Sequence, residues 1–222
     1  MSQRHYFNAP EGEGEIKTHS YELDGLKLQL KTSAGIFAKR GFDEGSRLLL
    51  KAIKTAADEQ PDWQPDKILD LGCGNGVLGL FMAKFWPEAE ISLVDLSPRA
   101  VELARMNCQG EKNLQVFEAD GLNLNSEGQM NLDEAAIDLP YFQLCVTNPP
   151  IRAGKELCYR LYAEVEKALL AGGSFYLVVR KKQGAESHRR ELERLFPEVE
   201  RVLRDRGYQV FRAHKPLLAE GE

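Results

Sequence analysis

The sequence predicts an α/β protein in which helices cover both faces of a mostly parallel, doubly wound sheet. From residue 67 onward, short apolar segments alternate with helical segments, as repeated strand–helix units do. Residues 144–146 and 176–179 are apolar without alternation, which is typical of strands that are buried on both faces. The length of 222 residues suits one such domain.

A hairpin is predicted near the amino terminus. Residues 21–23 and 26–30 alternate apolar with polar side chains on either side of Asp24-Gly25. Both turn residues tolerate the positive φ angles that a two-residue hairpin turn requires.

One helix is predicted between this hairpin and the sheet. Residues 44–57 place apolar side chains on one helical face, and Asp43 is the predicted N-cap. We therefore expect residues 1–60 to form an extension that packs on a core of residues 61–222.

The core is predicted to alternate strands with helices and to end in a hairpin. The expected strands are 67–71, 90–95, 113–118, 142–147 and 174–180, and the expected helices are 76–85, 98–108, 155–170 and 185–195. Two further segments, 200–204 and 208–212, predict a closing hairpin that adds an antiparallel strand to the sheet edge. Residues 122–139 are polar and acidic, and we predict a long loop there.

Charge and composition exclude several classes of function. A net charge of −5 argues against a protein that coats nucleic acid nonspecifically. Residues 151–215, however, hold 15 Lys and Arg against 9 Asp and Glu, a net charge of +6. No apolar run approaches the ~18–20 residues of a membrane helix, and residues 1–9 lack the apolar segment of a secretion signal.

The four cysteines form no Cys-x-x-Cys pair, so the sequence indicates neither a zinc site nor a disulfide framework. No His, Cys and carboxylate cluster predicts another metal site. We expect a cytoplasmic protein without a membrane partner. We also expect reduced thiols, mostly in packing roles, at Cys73, Cys108, Cys145 and Cys158.

A glycine-rich turn follows the first predicted core strand and leads directly into a helix. Its sequence is DLGCGNG, residues 70–76. In a doubly wound sheet, ligands bind at the carboxyl ends of the strands, and glycines let them approach the backbone. Asp95 ends the next strand, where a carboxylate can accept both ribose hydroxyls of an adenosine. A dinucleotide-binding protein shares this arrangement, but the Asp70 carboxylate disfavours a pyrophosphate and suits the cationic amino-acid end of S-adenosylmethionine.

Asp120-Gly121 follows the third strand, where a carboxylate can meet the adenine amino group. The pattern therefore predicts S-adenosylmethionine as the cofactor. The predicted cofactor contacts are Asp70, Gly72, Cys73, Gly74, Asn75, Gly76, Asp95, Leu96, Asp120, Gly121 and Asn148.

A second motif follows the fourth strand, and we predict that Asn148, Pro149, Pro150 and Ile151 form the transfer site. An exocyclic amine conjugated to a ring or a carbonyl is a poor nucleophile, and its two N–H groups need acceptors that orient the nitrogen. The Asn148 side-chain oxygen and the Pro149 carbonyl can supply them, while the prolines restrict the loop.

The two motifs together resemble those of the class I amino-methyltransferases. The extension IRAGK, residues 151–155, narrows the resemblance to small-domain relatives of the 16S ribosomal RNA guanine-N2 methyltransferases. Residues 5–7 and 32–38 are also similar to that family, so the resemblance spans nearly the whole chain. It implies a Rossmann-like sheet of seven strands, guanine N2 methylation of ribosomal RNA or the small ribosomal subunit, and cofactor covering by Phe37 and Ala38.

The sequence departs from the family in two respects. Members of its best-known branch contain two methyltransferase-like domains, whereas this chain has room for one, so RNA recognition would need another surface or a homodimer. Ile151 stands where many nucleobase methyltransferases have an aromatic residue that stacks on the target base. Tyr159 and Phe142 are the candidates to clamp the base instead.

Several substrates remain compatible with the transfer site. Protein glutamine N5 and DNA adenine N6 pose the same chemical problem as guanine N2, and a cofactor-binding assembly factor without activity is a further alternative. Basic residues after the transfer loop favour a polyanion, although Arg189, Arg190 and Arg194 can instead pair with neighbouring glutamates on a solvated helix. The predicted RNA contacts are Arg152, Lys155, Lys181 and Lys182.

Overall fold

The computed structural model describes residues 15–33, 42–125, 129–132, 135–139 and 141–217. Their elements are, in chain order, β1 (Ile16–Leu23), β2 (Leu26–Ser33), α1 (Glu44–Glu59), β3 (Lys67–Leu71), α2 (Val77–Phe85), β4 (Glu90–Asp95), α3 (Pro98–Asn107), β5 (Leu114–Glu118), β6 (Met130–Leu132), β7 (Ala135–Ile137), β8 (Phe142–Thr147), α4 (Lys155–Ala168), β9 (Leu169–Arg180), α5 (Ala185–Leu195), β10 (Glu198–Asp205) and β11 (Tyr208–His214).

The central sheet has seven strands in the order β10-β11-β9-β8-β3-β4-β5, which confirms the predicted fold class. The strands from β9 to β5 run parallel, and β11 is antiparallel to both of its neighbours. The antiparallel strand therefore lies one position inside the edge that the sequence suggested. The direction of winding reverses between β3 and β8, so their carboxyl ends border the crevice where such sheets bind ligands.

Each face of the sheet is covered by its own hydrophobic core, because successive side chains of a strand point to opposite faces. Ile68 and Leu144 belong to the core under the β1–β2 hairpin, α1, α2 and α3. Leu69 and Cys145 belong to the core under α4 and α5. Burial on both faces explains why these strands lack the alternation of a half-exposed strand.

The amino-terminal hairpin and helix agree closely with the sequence. Asp24 and Gly25 adopt positive φ angles of 47° and 82° in the hairpin turn. The Asp43 side chain caps α1 by accepting a hydrogen bond from the Ser46 backbone N–H at 2.9 Å. The predicted boundary at residue 60 stays a prediction.

Two sequence predictions were wrong in part. The long loop of residues 122–139 contains the short antiparallel pair β6–β7, and Met130 is fully buried there. Alternation is hard to detect in a strand of three residues. The predicted helix of residues 155–170 ends at Ala168, because the chain turns at Leu169 into a β9 that pairs from there with Phe142. No helix in the described ranges is long and apolar enough to cross a membrane.

Asn107 at the end of α3 ties the hairpin to the glycine-rich turn. Its Oδ1 accepts from the Lys31 backbone N–H at 2.8 Å, and its Nδ2 donates to the carbonyls of Lys31 and Asn75 at 3.0 and 2.9 Å. One side chain thus satisfies backbone groups on two elements that are distant in sequence.

We expect Asn107→Ala to lower the free energy of unfolding by about 1–3 kcal/mol, because half-buried backbone groups lose their partners. Denaturant unfolding would measure this, with Glu102→Ala on the exposed face of the same helix as the control. Equal stability of the two variants would contradict this role for Asn107.

Candidate active site

The glycine-rich turn leaves its backbone open on one side. Gly72 and Gly74 have φ angles of 74° and 58°, and Gly72 is held by a 2.7 Å hydrogen bond from its N–H to the Val94 carbonyl. Among the described residues, a Cβ built on Gly74 would meet no atom within 4 Å, and one built on Gly72 would reach only the Thr147 Oγ1 at 4.0 Å. A ligand can therefore approach this backbone closely. Gly76, by contrast, faces inward, where a Cβ would lie 3.2 Å from Leu93.

Asp95 supports this turn from the end of β4. Its Oδ2 accepts from the Gly74 N–H and its Oδ1 from the Ser97 N–H, both at 2.9 Å. Burial raises the pKa of Asp95, and the hydrogen bonds from the Ser97, Gly74 and Leu96 backbones oppose that rise. A carboxylate has about four acceptor positions, so Asp95 can still accept from a ribose hydroxyl.

Asp70 lies beneath the turn and is wholly buried. Its Oδ2 accepts from the Gly79 N–H in α2 at 3.0 Å, whereas its Oδ1 has no hydrogen-bond partner among the described residues. Burial raises the pKa of Asp70 to about 7, the Gly79 bond opposes this, and the neighbouring Asp95 adds to it. A cation bound nearby would stabilise the ionised form.

Two residues of the turn direct their side chains away from the open backbone. The Asn75 amide reaches the Tyr21 hydroxyl and the Lys31 carbonyl of the hairpin, both at 3.4 Å. The Cys73 side chain is buried in the core on the hairpin side of the sheet. For these two positions, only the backbone lies on the predicted cofactor side.

Asp120 and Gly121 follow β5, the edge strand next to β4. Asp120 forms an ion pair with Arg160, which also pairs with Glu164 at 2.8 Å. Glu164 in turn accepts from the Leu122 N–H at 2.8 Å, and a side chain at Gly121 would displace the Glu164 carboxylate. Contact between Asp120 and adenine stays a prediction.

Asn148 follows β8 and is held by the start of α1. Its Nδ2 donates to Asp43 Oδ2 and to Ser46 Oγ, both at 2.9 Å. The preceding residue, Thr147, donates from its hydroxyl to the Leu71 carbonyl at 2.6 Å, which joins the transfer loop to the cofactor turn. Sequence reasoning identified Asp43 only as a helix cap and missed Ser46 altogether.

The rest of the transfer loop is compact. The Pro149 carbonyl accepts from the Ile151 N–H at 2.8 Å, and a short 3₁₀ helix, Ile151–Ala153, follows Pro150. Ile151 is half-buried against the core under α4 and α5. Its chemical role stays a prediction.

The two residues predicted to clamp the base, Phe142 and Tyr159, lie in different environments. The prediction of Phe142 was wrong, because its side chain is fully buried at the amino end of β8, opposite to Asn148. Tyr159 is half-buried and packs edge-on against His188 with ring centroids 5.5 Å apart. Among the described residues, the Tyr208 ring approaches Gly45 from β11, as the Asn148 Nδ2 does from the end of β8. Sequence reasoning missed Tyr208 because β11 is distant in the chain. Its ring stacks with the Arg180 guanidinium at 4.5 Å.

Basic residues gather near the carboxyl ends of β8 and β9. Lys155 begins α4 and donates to the Ser187 hydroxyl at 3.1 Å, so it reaches the turn that follows Lys181 and Lys182. These three lysines and Arg152 are exposed. The alternative for the arginines of α5 is confirmed, since the structure records ion pairs to Glu186, Glu191 or Glu193 for Arg189, Arg190 and Arg194.

Phe37 and Ala38 lie outside the described residues, as do residues 5–7. Within the described ranges, no group of three or more His, Cys, Asp and Glu side chains could hold a metal ion.

The residues around the turn suit S-adenosylmethionine. Asp95 can still accept from a ribose hydroxyl, Gly72 and Gly74 border space that no other described residue fills, and Asp70 has a carboxylate oxygen without a hydrogen-bond partner among the described residues. With the fold, this places the protein in the class of S-adenosylmethionine-dependent methyltransferases.

The chain belongs to the methyltransferase small domain family, whose model matches residues 27–212. It is 34% identical over 217 residues to the uncharacterized protein YbxB of Bacillus subtilis (strain 168), covering 97% of this chain and 100% of that one. It is also 34% identical over 202 residues to ribosomal RNA large subunit methyltransferase G of Stutzerimonas stutzeri (strain A1501). That match covers 88% of this chain but only 48% of the relative, so the chain spans about half of its length.

Solved structures share the fold. The 16S rRNA N2 methyltransferase RsmC of T. thermophilus, in complex with AdoMet and guanosine, matches with a TM-score of 0.75 and 23% identity over 93% of this chain and 52% of that one. A ribosomal protein L11 methylase from Lactobacillus delbrueckii subsp. bulgaricus matches with a TM-score of 0.59 and 17% identity over 82% and 81% of the chains. S-adenosylmethionine is the cofactor of this family and of this chain.

We expect Asp95→Ala to weaken binding of the demethylated cofactor by ~1–3 kcal/mol, because charged hydrogen bonds to the ribose and support of the Gly74 N–H are lost together. Calorimetry with S-adenosylhomocysteine would measure this, with the exposed, remote Asp62→Ala as the control. An unchanged affinity would mean that another residue holds the ribose.

Proposed function

We propose that the chain transfers a methyl group from S-adenosylmethionine to an exocyclic amino nitrogen, and that this nitrogen is N2 of a guanine in ribosomal RNA. One observation carries the proposal. The Asn148 Nδ2 is already bonded to Asp43 and Ser46, so the Oδ1 is the end of the amide that remains to accept a hydrogen bond from an incoming amine.

The chemistry that these residues perform is orientation. One N–H of the acceptor amine donates to Asn148 Oδ1, and the other donates to the Pro149 carbonyl, which keeps one lone pair after accepting from Ile151. Both acceptors together direct the nitrogen lone pair toward the methyl group. The cofactor supplies that methyl on a positively charged sulfur, a good leaving group. The new N–C bond forms as the S–C bond breaks, and the nitrogen then releases a proton to solvent.

The substrate class is supported by relatives and by charge. The S. stutzeri relative is a ribosomal RNA large subunit methyltransferase, so it supports ribosomal RNA as the substrate class, while the small subunit and N2 rest on RsmC, a 16S rRNA N2 methyltransferase. We therefore propose ribosomal RNA or the small ribosomal subunit as the partner, and the cytoplasm as the location. Arg152, Lys155, Lys181 and Lys182 are the proposed phosphate contacts, and a homodimer is a proposed way to enlarge this surface.

Guanine N2 lies in the minor groove of an A-form helix and usually takes part in pairing, so the target base must be unpaired or extruded. Tyr208, whose ring approaches Gly45 as the Asn148 Nδ2 does, and Arg180, which stacks on that ring, are the proposed contacts to such a base.

Methylation of a protein glutamine is the second candidate, since its amide nitrogen needs the same two acceptors; the shared fold of the L11 methylase is compatible with a protein substrate. DNA adenine N6 and a non-catalytic assembly role are further alternatives. Incubation with radiolabelled S-adenosylmethionine and either naked ribosomal RNA, 30S subunits or protein extract separates these classes. We expect N2-methylguanosine in nucleosides from the RNA, whereas label confined to protein would overturn the RNA assignment.

Asn148→Ala should lower turnover on the order of 10²-fold or more, because it removes a contact that acts mainly in the transition state. Binding of S-adenosylhomocysteine should remain nearly normal. Asn113→Ala, at the other end of the sheet, is the matched control. Near-normal turnover of Asn148→Ala would refute the proposed transfer site.

Replacing Lys181 and Lys182 together with Ala should weaken RNA binding across sequences without changing cofactor affinity. The slope of log affinity against log salt should flatten by roughly 0.7–0.9 for each lost phosphate contact. Lys51→Ala combined with Lys112→Ala, two exposed lysines elsewhere, is the control. If both pairs lower affinity equally, this surface has no special role.

A further inference from the structure

We propose that Asp43 and Ser46 are positioning residues for methyl transfer, which act by fixing the amide plane and the direction of Asn148. This inference rests on the proposed role of Asn148 and extends it to the first turn of α1. Asp43 and Asn148 are 105 positions apart in the chain, yet the Asn148 Nδ2 lies 2.9 Å from Asp43 Oδ2 and 2.9 Å from Ser46 Oγ.

The identity of Asp43 determines which way the amide faces. An ionised carboxylate can accept hydrogen bonds but cannot donate one. The end of the Asn148 amide that contacts it must therefore be the NH₂ group, and the Oδ1 must point to the other side. Both hydrogens of the NH₂ group have partners, so rotation of the amide would break two hydrogen bonds, one of them to a charged group.

The first turn of α1 is itself held in place. Asp43 Oδ2 accepts from the Ser46 N–H as well as from Asn148, so the helix cap and the Asn148 contact share one oxygen. A Cβ at Gly45 would lie 2.9 Å from that oxygen, 3.0 Å from Tyr208 Cε1 and 3.4 Å from Asn148 Nδ2. Glycine is unfavourable inside a helix, and here it allows this close approach.

The contact with Asp43 also changes the hydrogen-bonding strength of Asn148. Hydrogen bonds in a chain polarise one another, so donation from Nδ2 to a carboxylate makes the Oδ1 a stronger acceptor. The incoming amine thus meets an acceptor that is both oriented and polarised before the reaction begins.

Two variants separate this role from capping. Asp43→Ser keeps a good N-cap but shortens the side chain, and Ser46→Ala removes the hydroxyl while keeping the backbone N–H. Each should lower kcat on the order of tenfold, with little change in S-adenosylhomocysteine affinity or in the KM for the acceptor. Glu44→Gln, which alters charge in the same turn without contacting Asn148, should leave kcat unchanged.

The decisive comparison repeats both substitutions in Asn148→Ala. If they act through Asn148, they should change kcat there by less than about twofold, because the group that they position is absent. Effects that multiply fully with Asn148→Ala would overturn the proposal and assign both residues a purely structural role.

The methyl acceptor used in this double-mutant cycle is whichever fraction, RNA or protein, the wild-type protein labels. Label on protein would end the RNA proposal but leave the cycle valid. A second readout needs no acceptor at all: in isotope-labelled protein, both side-chain amide protons of Asn148, identified by their loss in Asn148→Ala, should be protected from solvent exchange. Asp43→Ser should remove the protection of one of them, and an unaffected amide would also overturn the proposal.

Discussion

The hydrogen bond from the Thr147 hydroxyl to the Leu71 carbonyl joins the transfer loop to the glycine-rich cofactor turn. The geometry of the whole site depends on the pairing of β3 with β8, the strands that lead into these two segments. The hydrogen bond is buried, 2.6 Å long, and connects residues 76 positions apart. Leu71 leads into the glycine-rich turn and Thr147 leads into Asn148, so the bond extends the β3–β8 pairing to the residues that adjoin both motifs. Reacting atoms must meet at about 3–3.5 Å, and a shift of 1 Å is costly. Placing both motifs at the reversal between β3 and β8 meets this requirement with rigid elements.

The residues before the sheet take part in both halves. The hairpin contacts the glycine-rich turn through Asn75 and, together with α3, through Asn107. The first turn of α1 contacts the transfer loop through Asp43 and Ser46. The elements that precede the Rossmann-like sheet thus support both sides of the site. The β1–β2 hairpin contacts the cofactor side, and α1 contacts the acceptor side. The stability of these elements and the precision of the site are physically coupled.

Local context explains which features could be predicted from the sequence. The cofactor turn at residues 70–76 could be predicted from local sequence, because its strand, glycine-rich turn and helix are consecutive in the chain. The contact between Asp43 and Asn148 could not be predicted in this way, since it depends on how α1 packs across the sheet. The polar residues Asp43 and Ser46 near Gly45 were a signal in the sequence. Helix capping alone, however, explains Asp43 and Ser46, and so gave no reason to expect a contact with Asn148. Phe142 failed as a clamp for a related reason: its distance from Asn148 in sequence is short, yet a strand places its two ends on opposite sides of the molecule.

The central claim is that Asn148 Oδ1 and the Pro149 carbonyl receive the two N–H groups of an exocyclic amine. A crystal structure of the protein with S-adenosylhomocysteine and guanosine tests it most directly. The account predicts guanine N2 at ~2.7–3.2 Å from both oxygens, with the Asn148 Nδ2 still bonded to Asp43 and Ser46. A base bound with N2 away from both oxygens, or an Asn148 that has turned its Nδ2 toward the base, would contradict it.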